Sequence, residues 1–500
     1  MKNRRCTRFI AMTLFAVALP AGVAAQDAAQ NATAKHHHYK LIDLGTLGGP
    51  QSVIYETANR ALNKGGTVVD NSDTSNFDPN NPQNPSFLYP DGYLDPYIQH
   101  AVQWSDGKRT DLGALPGGTS SYMQWINDRG MVVGGSTNGV IDPLTGYPET
   151  MATLWNDGKV YNLGTFGGNE SGAYSLSNLG QVVGWASNTI PDAFAWVVFA
   201  QGATQAHAAL WKNGVIEDLG TLGGPDSSAV FINERGQIAG ESLTSFIPNS
   251  WTGYPTQDPF LWENGQMTDL GTLGGTNGSP YALNNRGQVV GISNLAGDQN
   301  WHAFLWERGV LKDLGTLGGP DIFSYATAIN EAGEVAGVSA VPGAPVWHPF
   351  LWKNGTMYDL GTAGTPCGYA IGINSPGQVV GASYDCIFGG YSAFLWEHGS
   401  IVDLNTLIPP GSDLHLGQAI NINDRGEIVG TALLPGGDPQ FYSKGYLHAF
   451  LLIPCDENHG DVEGCNYSLV DVAAAPTNLP PGKDLRGAQH MPHWRRINSH

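Results

Sequence analysis

The chain has 500 residues, 67 of them glycine and only 14% charged, with a formal net charge of −20. Proteins that bind DNA or RNA gain affinity by releasing counterions against cationic side chains, so this charge argues against a nucleic-acid partner and fits an ordinary acidic, soluble surface. Glycine at this density suits short strands and tight turns, where positive φ is needed, and the composition reads as all-β.

In chain order, Lys2, Arg4, Arg5 and Arg8 precede an apolar run over 9–20 and then Val23-Ala24-Ala25. This is the three-part layout of a secretory signal peptide over residues 1–25. No second stretch of about 18 apolar residues follows, so a membrane span is not expected. The reading is a bacterial protein that is secreted or periplasmic, and a monomer. Cleavage removes four basic and no acidic residues, which takes the charge from −20 to −24. It also removes Cys6 and leaves four cysteines, an even number in an oxidising compartment. Cys367 and Cys386 lie symmetrically about the turn Asn374-Ser375-Pro376-Gly377, and Cys455 and Cys465 would close a short loop, so two disulfides are expected. A metal site is the rival reading, but the spacing is not that of a zinc motif.

After a linker at 26–38 the chain becomes a repeat array over 39–452. Asp-Leu-Gly-Thr-Leu-Gly-Gly starts at residues 43, 218, 269 and 313, and looser copies start at 111, 162, 359 and 403. Units of about 44–68 residues are single supersecondary elements that must stack on neighbours to bury a core. Each unit holds four strand-like segments. An Asn-x-x-Gly turn, as at Asn127, Asn233, Asn330 and Asn423, joins the first two, and Asn-Gly, as at Asn213, Asn264 and Asn354, joins the last two. The array begins in the phase of a fourth strand, 39–45, and ends in that of a third, 447–452. The phase predicts a β-propeller of eight four-stranded blades whose N-terminal strand closes the last blade, with seven blades or an open β-repeat array as the alternatives. The recurrent Trp155, Trp211, Trp262, Trp306, Trp352 and Trp396 are expected to fill the wedges between blades. The recurrent Asp43, Asp111, Asp218, Asp269, Asp313, Asp359 and Asp403 are expected to accept backbone hydrogen bonds at strand ends.

Repeats of the form His-Ala-Phe-Leu-Trp, Asp-Leu-Gly-Thr-Leu-Gly-Gly and Gly-Gln-Val-Val-Gly resemble the bacterial extracellular HAF-repeat family, and His302-Ala303-Phe304 and His448-Ala449-Phe450 match its name literally. The resemblance implies export and a propeller-like fold. It brings no assigned reaction and therefore no catalytic residue.

The long insertions all fall between second and third strands, which places them on one face with the crossovers, and insertions gathered on one face mark a binding side. Aromatic side chains there suit sugar rings or extended peptides, and Trp251, Tyr254, Trp301 and Trp347 are the candidate ligand-binding residues. Packing of the loops on one another is the competing reading. His100, His207, His302, His348 and His448 recur before the third strand, where local structure is the expected role. Asp70, Asn71, Ser72, Asp73, Asp78 and Asn80 offer oxygen ligands of calcium type without the order of a calcium loop, so no cofactor is expected beyond that weak signal. No nucleophile elbow, zinc helix or phosphate loop occurs. Asp142, Asp192, Glu241, Asp258 and Asp298 form the pool of loop carboxylates for an enzyme. The leading expectation is a non-catalytic binding module for polysaccharide or extracellular protein. The alternatives are a polysaccharide-cleaving glycosidase or lyase and a structural envelope or matrix protein. Residues 453–500, with the Cys455–Cys465 loop, read as a tail.

Overall fold

The computed structural model describes residues 34–472 apart from 56–59, 81–95, 144–145, 193, 195–203, 251, 319–322, 343–345, 387–388, 437–446 and 461. The signal-peptide segment, Trp251 and the tail beyond 472 lie outside the described residues. Among the described residues there is no α-helix, and none long and apolar enough to cross a membrane.

The strands form antiparallel four-stranded units, numbered here sheets 1 to 8 in chain order. Sheet 1 is Gly48–Val53, Val68–Phe77, Tyr97–Ser105 and Lys108–Asp111. Sheet 2 is Ser121–Ile126, Val132–Ile141, Pro148–Asn156 and Lys159–Asn162, and sheet 3 is Ser171–Leu176, Val182–Pro191, Thr204–Lys212 and Val215–Asp218. Sheet 4 (Ser227–Ile232, Ile238–Leu243, Gln257–Glu263, Gln266–Asp269) joins sheet 5 (Gly274–Leu283, Val289–Leu295, Trp301–Glu307, Val310–Gly315) through one parallel pairing of Gln257 with Asn277. Sheet 6 is Ser324–Ile329, Val335–Ala340, Trp347–Lys353 and Thr356–Asp359, and sheet 7 is Cys367–Ile373, Val379–Asp385, Gly389–Glu397 and Ser400–Asp403. Sheet 8 takes three strands from the end of the array, His415–Ile422, Ile428–Leu433 and Leu447–Pro454, and its fourth from the beginning, Tyr39–Asp43, with Leu41 opposite Leu452. The linker expected at 26–38 is wrong in part, because Ala34–His37 is a strand paired with Leu469–Val472. The backbone of the expected tail is tied down by that ribbon as far as 472.

Three repeated side-chain devices hold sheet to sheet. The first is the turn asparagine. Asn284 accepts from the backbone N–H groups of Arg286 and Gln288, while its amide donates to the carbonyl of Asn330 in the next sheet at 3.0 Å. Asn330 donates to Asn374, Asn374 to Asn423, Asn423 to Asn63 and Asn63 to Asn127, so the series passes from sheet 8 directly to sheet 1. Asparagine suits this place because one side chain carries both acceptor and donor. The second device is a serine on the first strand of five sheets, which accepts from an N–H of the preceding sheet's third strand: Ala101 to Ser121, Ala152 to Ser171, Ala208 to Ser227, Ala303 to Ser324, and Ala449 of sheet 8 to Ser52 of sheet 1. Sheets 4 and 6 carry Pro259 and Pro349 at that third-strand position, which have no N–H to place, and a Cβ built on Gly278 or Gly368 of the next sheet would meet the proline ring. The third device ties each crossover to the next sheet, as in Leu222 N–H to Ser242 and Leu273 N–H to Ser293, both 2.9 Å.

The core lies between sheets. Phe260, Phe304, Phe350, Phe394 and Phe450 are fully buried, each removing apolar surface worth about 2 kcal/mol or more from water. The six recurrent tryptophans pack into the same inter-sheet clusters, as expected. Both expected disulfides are present, Cys367–Cys386 and Cys455–Cys465. Opening the first frees a loop spanning 19 residues, which by chain entropy is worth about 3 kcal/mol. The Cys367→Ser/Cys386→Ser variant should unfold earlier by that amount in urea while ligand affinity stays unchanged. Free thiols found by mass mapping of the wild-type protein would remove the basis for this expectation.

Candidate functional site: the looped face

Among the described residues the crossovers bond serines of the second strands that lead into the insertions, which sets crossovers and insertion starts on one face. In sheets 1 to 3 the described part of each insertion lengthens the second strand: Val68–Phe77, Val132–Ile141 and Val182–Pro191 are ten residues each, against six for Ile238–Leu243 and Val335–Ala340. Phe77, Val140, Ile141 and Ile190 stand exposed near the ends of those long strands.

At the start of five third strands the recurring histidine bonds the recurring aspartate through Nδ1: His100 with Asp111, His207 with Asp218, His302 with Asp313, His348 with Asp359, and His448 with Asp43, all at 2.8–3.0 Å. Each of these aspartates also accepts a backbone N–H two residues on, for instance Gly45 to Asp43 and Gly315 to Asp313, which is the strand-end role expected of them. Burial pushes Asp43, Asp111, Asp218 and Asp313 up, but the histidine and that backbone N–H outweigh it and hold them below the usual carboxylate range. Burial pulls His100 down, and the Asp111 hydrogen bond and charge more than reverse this.

The exceptions are the informative sheets. In sheet 2 the histidine position is Met151 and the aspartate position is Asn162, so both partners are lost together. In sheet 4 the histidine position is Asp258, which faces Asp269, and burial together with that second carboxylate raises Asp258. Asp226, fully buried at the start of sheet 4, accepts from Ala206 N–H and lies against Asp192; burial raises it, the N–H opposes, and Asp192 adds to the rise. Glu170 is pushed to about 7 by burial and by the charges of Asp142 and Glu149. Glu241 is also pushed to about 7 by burial, against a hydrogen bond with Ser279, and accepts from Gln257 Nε2 at 2.8 Å. Trp185 hydrogen-bonds Tyr174, which lies within the field of Glu241, and Tyr122 lies within that of Glu170. Sheets 2 to 4 thus gather carboxyl groups that hold protons near neutral pH, a state common at sites of acid–base chemistry.

Sheets 5 to 7 carry a run of mutually packed rings. Tyr281 meets Tyr325 edge to face, Phe323 meets Tyr325 and Trp347, and Tyr384 meets Tyr369 and Tyr391. Trp347 donates its indole N–H to the Tyr384 hydroxyl at 2.6 Å. Trp301 and Trp347 begin the third strands of adjacent sheets 5 and 6, while Tyr254 sits on the sheet 4 connection, 37% exposed. Three of the oxygen ligands considered for calcium are engaged otherwise. Asp70 pairs with Arg109 at 2.8 Å, Asn71 accepts from Met123 N–H and Ser72 from Leu47 N–H. Among the described residues no three His, Cys, Asp or Glu side chains converge to hold a metal.

No family model matches the chain, and no curated protein matches its sequence. Among solved structures it is similar to the β-propeller domain of the Trilobed protease from Pyrococcus furiosus, at 11% identity over 73% of this chain and 95% of that one, TM-score 0.39. It is also similar to an oligogalacturonate lyase in complex with manganese, at 10% identity over 86% and 97%, TM-score 0.40. A third is the polysaccharide lyase Uly1, at 12% identity over 83% and 100%, TM-score 0.36. At this level no activity passes from them to the chain.

Asp298 and Asp142 have structural bonds: Asp298 accepts from Thr276 N–H and Asp142 from the Asn169 amide. Sequence reasoning missed Glu170 and Asp226. Both immediately precede the repeated first-strand serine, where other units have Gln51, Ser120 or Phe323. That variability beside a recurrent serine was the available signal.

Proposed function

We propose that the chain is a secreted eight-bladed propeller of the HAF-repeat kind, closed by its N-terminal strand, that binds polysaccharide or an extended protein segment on its looped face. The observation that carries the reading is the asymmetry of that face: carboxyls of raised proton affinity gather in sheets 2 to 4, and a run of mutually packed rings crosses sheets 5 to 7. The passage of the asparagine series from Asn423 to Asn63 supports closure, and the two disulfides support export. The test is retention of the chain on a panel of bacterial and plant polysaccharides, with new sugar ends scored together. Trp301→Ala should weaken retention at least about tenfold, as loss of an aromatic platform does. Trp347→Ala also removes the Tyr384 bond. Retention that ignores Trp301 would rule that position out of the site.

A second reading, polysaccharide cleavage by acid–base chemistry, is favoured by one observation. Glu170 and Glu241, raised to about 7, have the proton affinity that a general acid needs near neutral pH. Release of new ends that disappears in Glu241→Gln would select it.

A further inference from the structure

A cleft of about 510 Å3 opens on the opposite face, among the short turns of sheets 6, 7 and 8. Its walls also include residues from outside the array: His37 of the N-terminal ribbon, and Asp456 and Asn458 of the segment that runs from the last strand to Leu469–Val472.

Charge decides what the cleft can take. Glu334, Glu397, Asp424 and Asp456 line it against two fixed cations, Lys353 and Arg425. Arg425 is committed to Glu427 at 3.0 Å, and the ammonium of Lys353 lies 5.9 Å from the Tyr358 ring. Glu397 accepts from His36 Nδ1 at 2.9 Å and from Gln378 Nε2 at 2.6 Å, and Asp424 from the Ser375 N–H and hydroxyl. The other two carboxylates are only half used. Glu334 accepts through Oε2 from the Asn330 amide, and Asp456 through Oδ1 from the Asn458 and His459 N–H groups and His459 Nδ1, which leaves Glu334 Oε1 and Asp456 Oδ2 without a hydrogen bond among the described residues. The same field acts on Tyr39 in the wall: burial first, and then the charges of Glu397 and Asp456, push its hydroxyl well above its ordinary value. An anion is repelled here. A guanidinium or ammonium finds acceptors, beside the apolar surfaces of Leu351, Trp396 and Pro454.

The chain carries such cations next to the cleft. Residues 473–500 hold Lys483, Arg486, Arg495 and Arg496 against one acidic residue, Asp484, in a chain whose net charge is −20, and Trp494 adjoins the arginine pair. They continue from Val472, which pairs with Ala34 in the ribbon that sends His37 into the cleft wall. From Ala34 to His37 is about 10 Å of strand, and the chain from 473 to 494 can span several times that. A tether of this kind sets an effective concentration on the order of millimolar, so a cleft of modest affinity is filled. We propose that residues 483–496 dock in this cleft, their cations on the carboxylates of Glu334 and Asp456, and so fasten the seam where the N-terminal strand completes sheet 8.

Hydrogen–deuterium exchange on the full chain tests it. Arg495→Glu/Arg496→Glu leaves every residue of the eight sheets as it is. It should make the amides of the wall turns at 398–399 and 424–426 exchange at least about fivefold faster, the worth of two exposed charge pairs. Salt of about 0.5 M, which screens charges beyond about 4 Å, should do the same to the wild type. Lys353→Glu, which adds a carboxylate to the wall, should keep the protection to higher salt. A synthetic peptide of residues 489–500, added to the double variant, should restore it. Wall turns that exchange alike in the double variant and the wild type would overturn the proposal. So would a change spread over all eight sheets, or protection in the wild type that fades on dilution, which would make the occupant the segment of a second copy.

Discussion

Gly240→Ala is expected to destabilise the protein by about 3 kcal/mol or more, at the upper end of what overpacking costs. A Cβ at Gly240 would lie 2.1 Å from the Ser228 carbonyl oxygen and 2.5 Å from the Phe260 ring. The ring can turn, but the carbonyl belongs to the paired first strand and cannot withdraw without opening the sheet. The double variant Gly240→Ala/Phe260→Leu should therefore recover little. Gly158→Ala is the control. Its φ of 70° is left-handed, nothing lies within 4 Å of its built Cβ, and its cost should be only about 1 kcal/mol from the backbone. Urea unfolding of the four proteins decides the matter. If Phe260→Leu restores Gly240→Ala fully, the ring alone demands the glycine and the tight first-to-second strand approach has been misjudged.

The same glycine shows why the fold was legible. Val-Val-Gly and its variants recur because a Cβ at Gly134, Gly184, Gly240, Gly291, Gly337, Gly381 or Gly430 would lie 1.9–2.2 Å from a carbonyl oxygen of the paired first strand, so one packing rule is written repeatedly along the chain. The strand phase was readable for the same reason: a strand missing from one end must come from the other, and Tyr39–Asp43 does pair with Leu447–Pro454. The linker was misread because Ala34–His37 finds its partner at Leu469–Val472 by register, with Ala34 opposite Val472, and no local pattern encodes so distant a pairing. The candidate site was legible only as a face. Trp347 carries the same letter whether it awaits a ligand or bonds Tyr384, and which holds depends on Phe323 and Tyr384, which come from other strands. Asp258 looked like any loop carboxylate until it was set beside Asp269 in the place of a histidine, a comparison that the repeat itself supplies.

Glu241→Gln is expected to make the protein more stable at pH 8 by about 2 kcal/mol while leaving it unchanged near pH 4. Folding raises the Glu241 pKa from 4.5 to about 7. The folded state therefore keeps this proton over a range in which the unfolded chain has lost it. Stability contributed by the protonated group is complete below the unfolded value and is lost as pH rises through the folded one, so the wild type weakens between about pH 4.5 and pH 7 and then levels off. A shift of this size corresponds to about 3 kcal/mol, less an allowance for the partial exposure of the side chain. Glutamine carries no proton to lose, and its carbonyl can still accept from Gln257 Nε2. Unfolding measured at several pH values should thus show the two proteins converging in acid and separating in base, and parallel curves would mean that Glu241 ionises normally in the folded state. The stability gained would show what wild-type Glu241 costs. Ile292, Val338 and Ala382 stand at the same strand position in sheets 5, 6 and 7, so the repeat itself does not require a carboxyl group there, and the cost belongs to Glu241 alone.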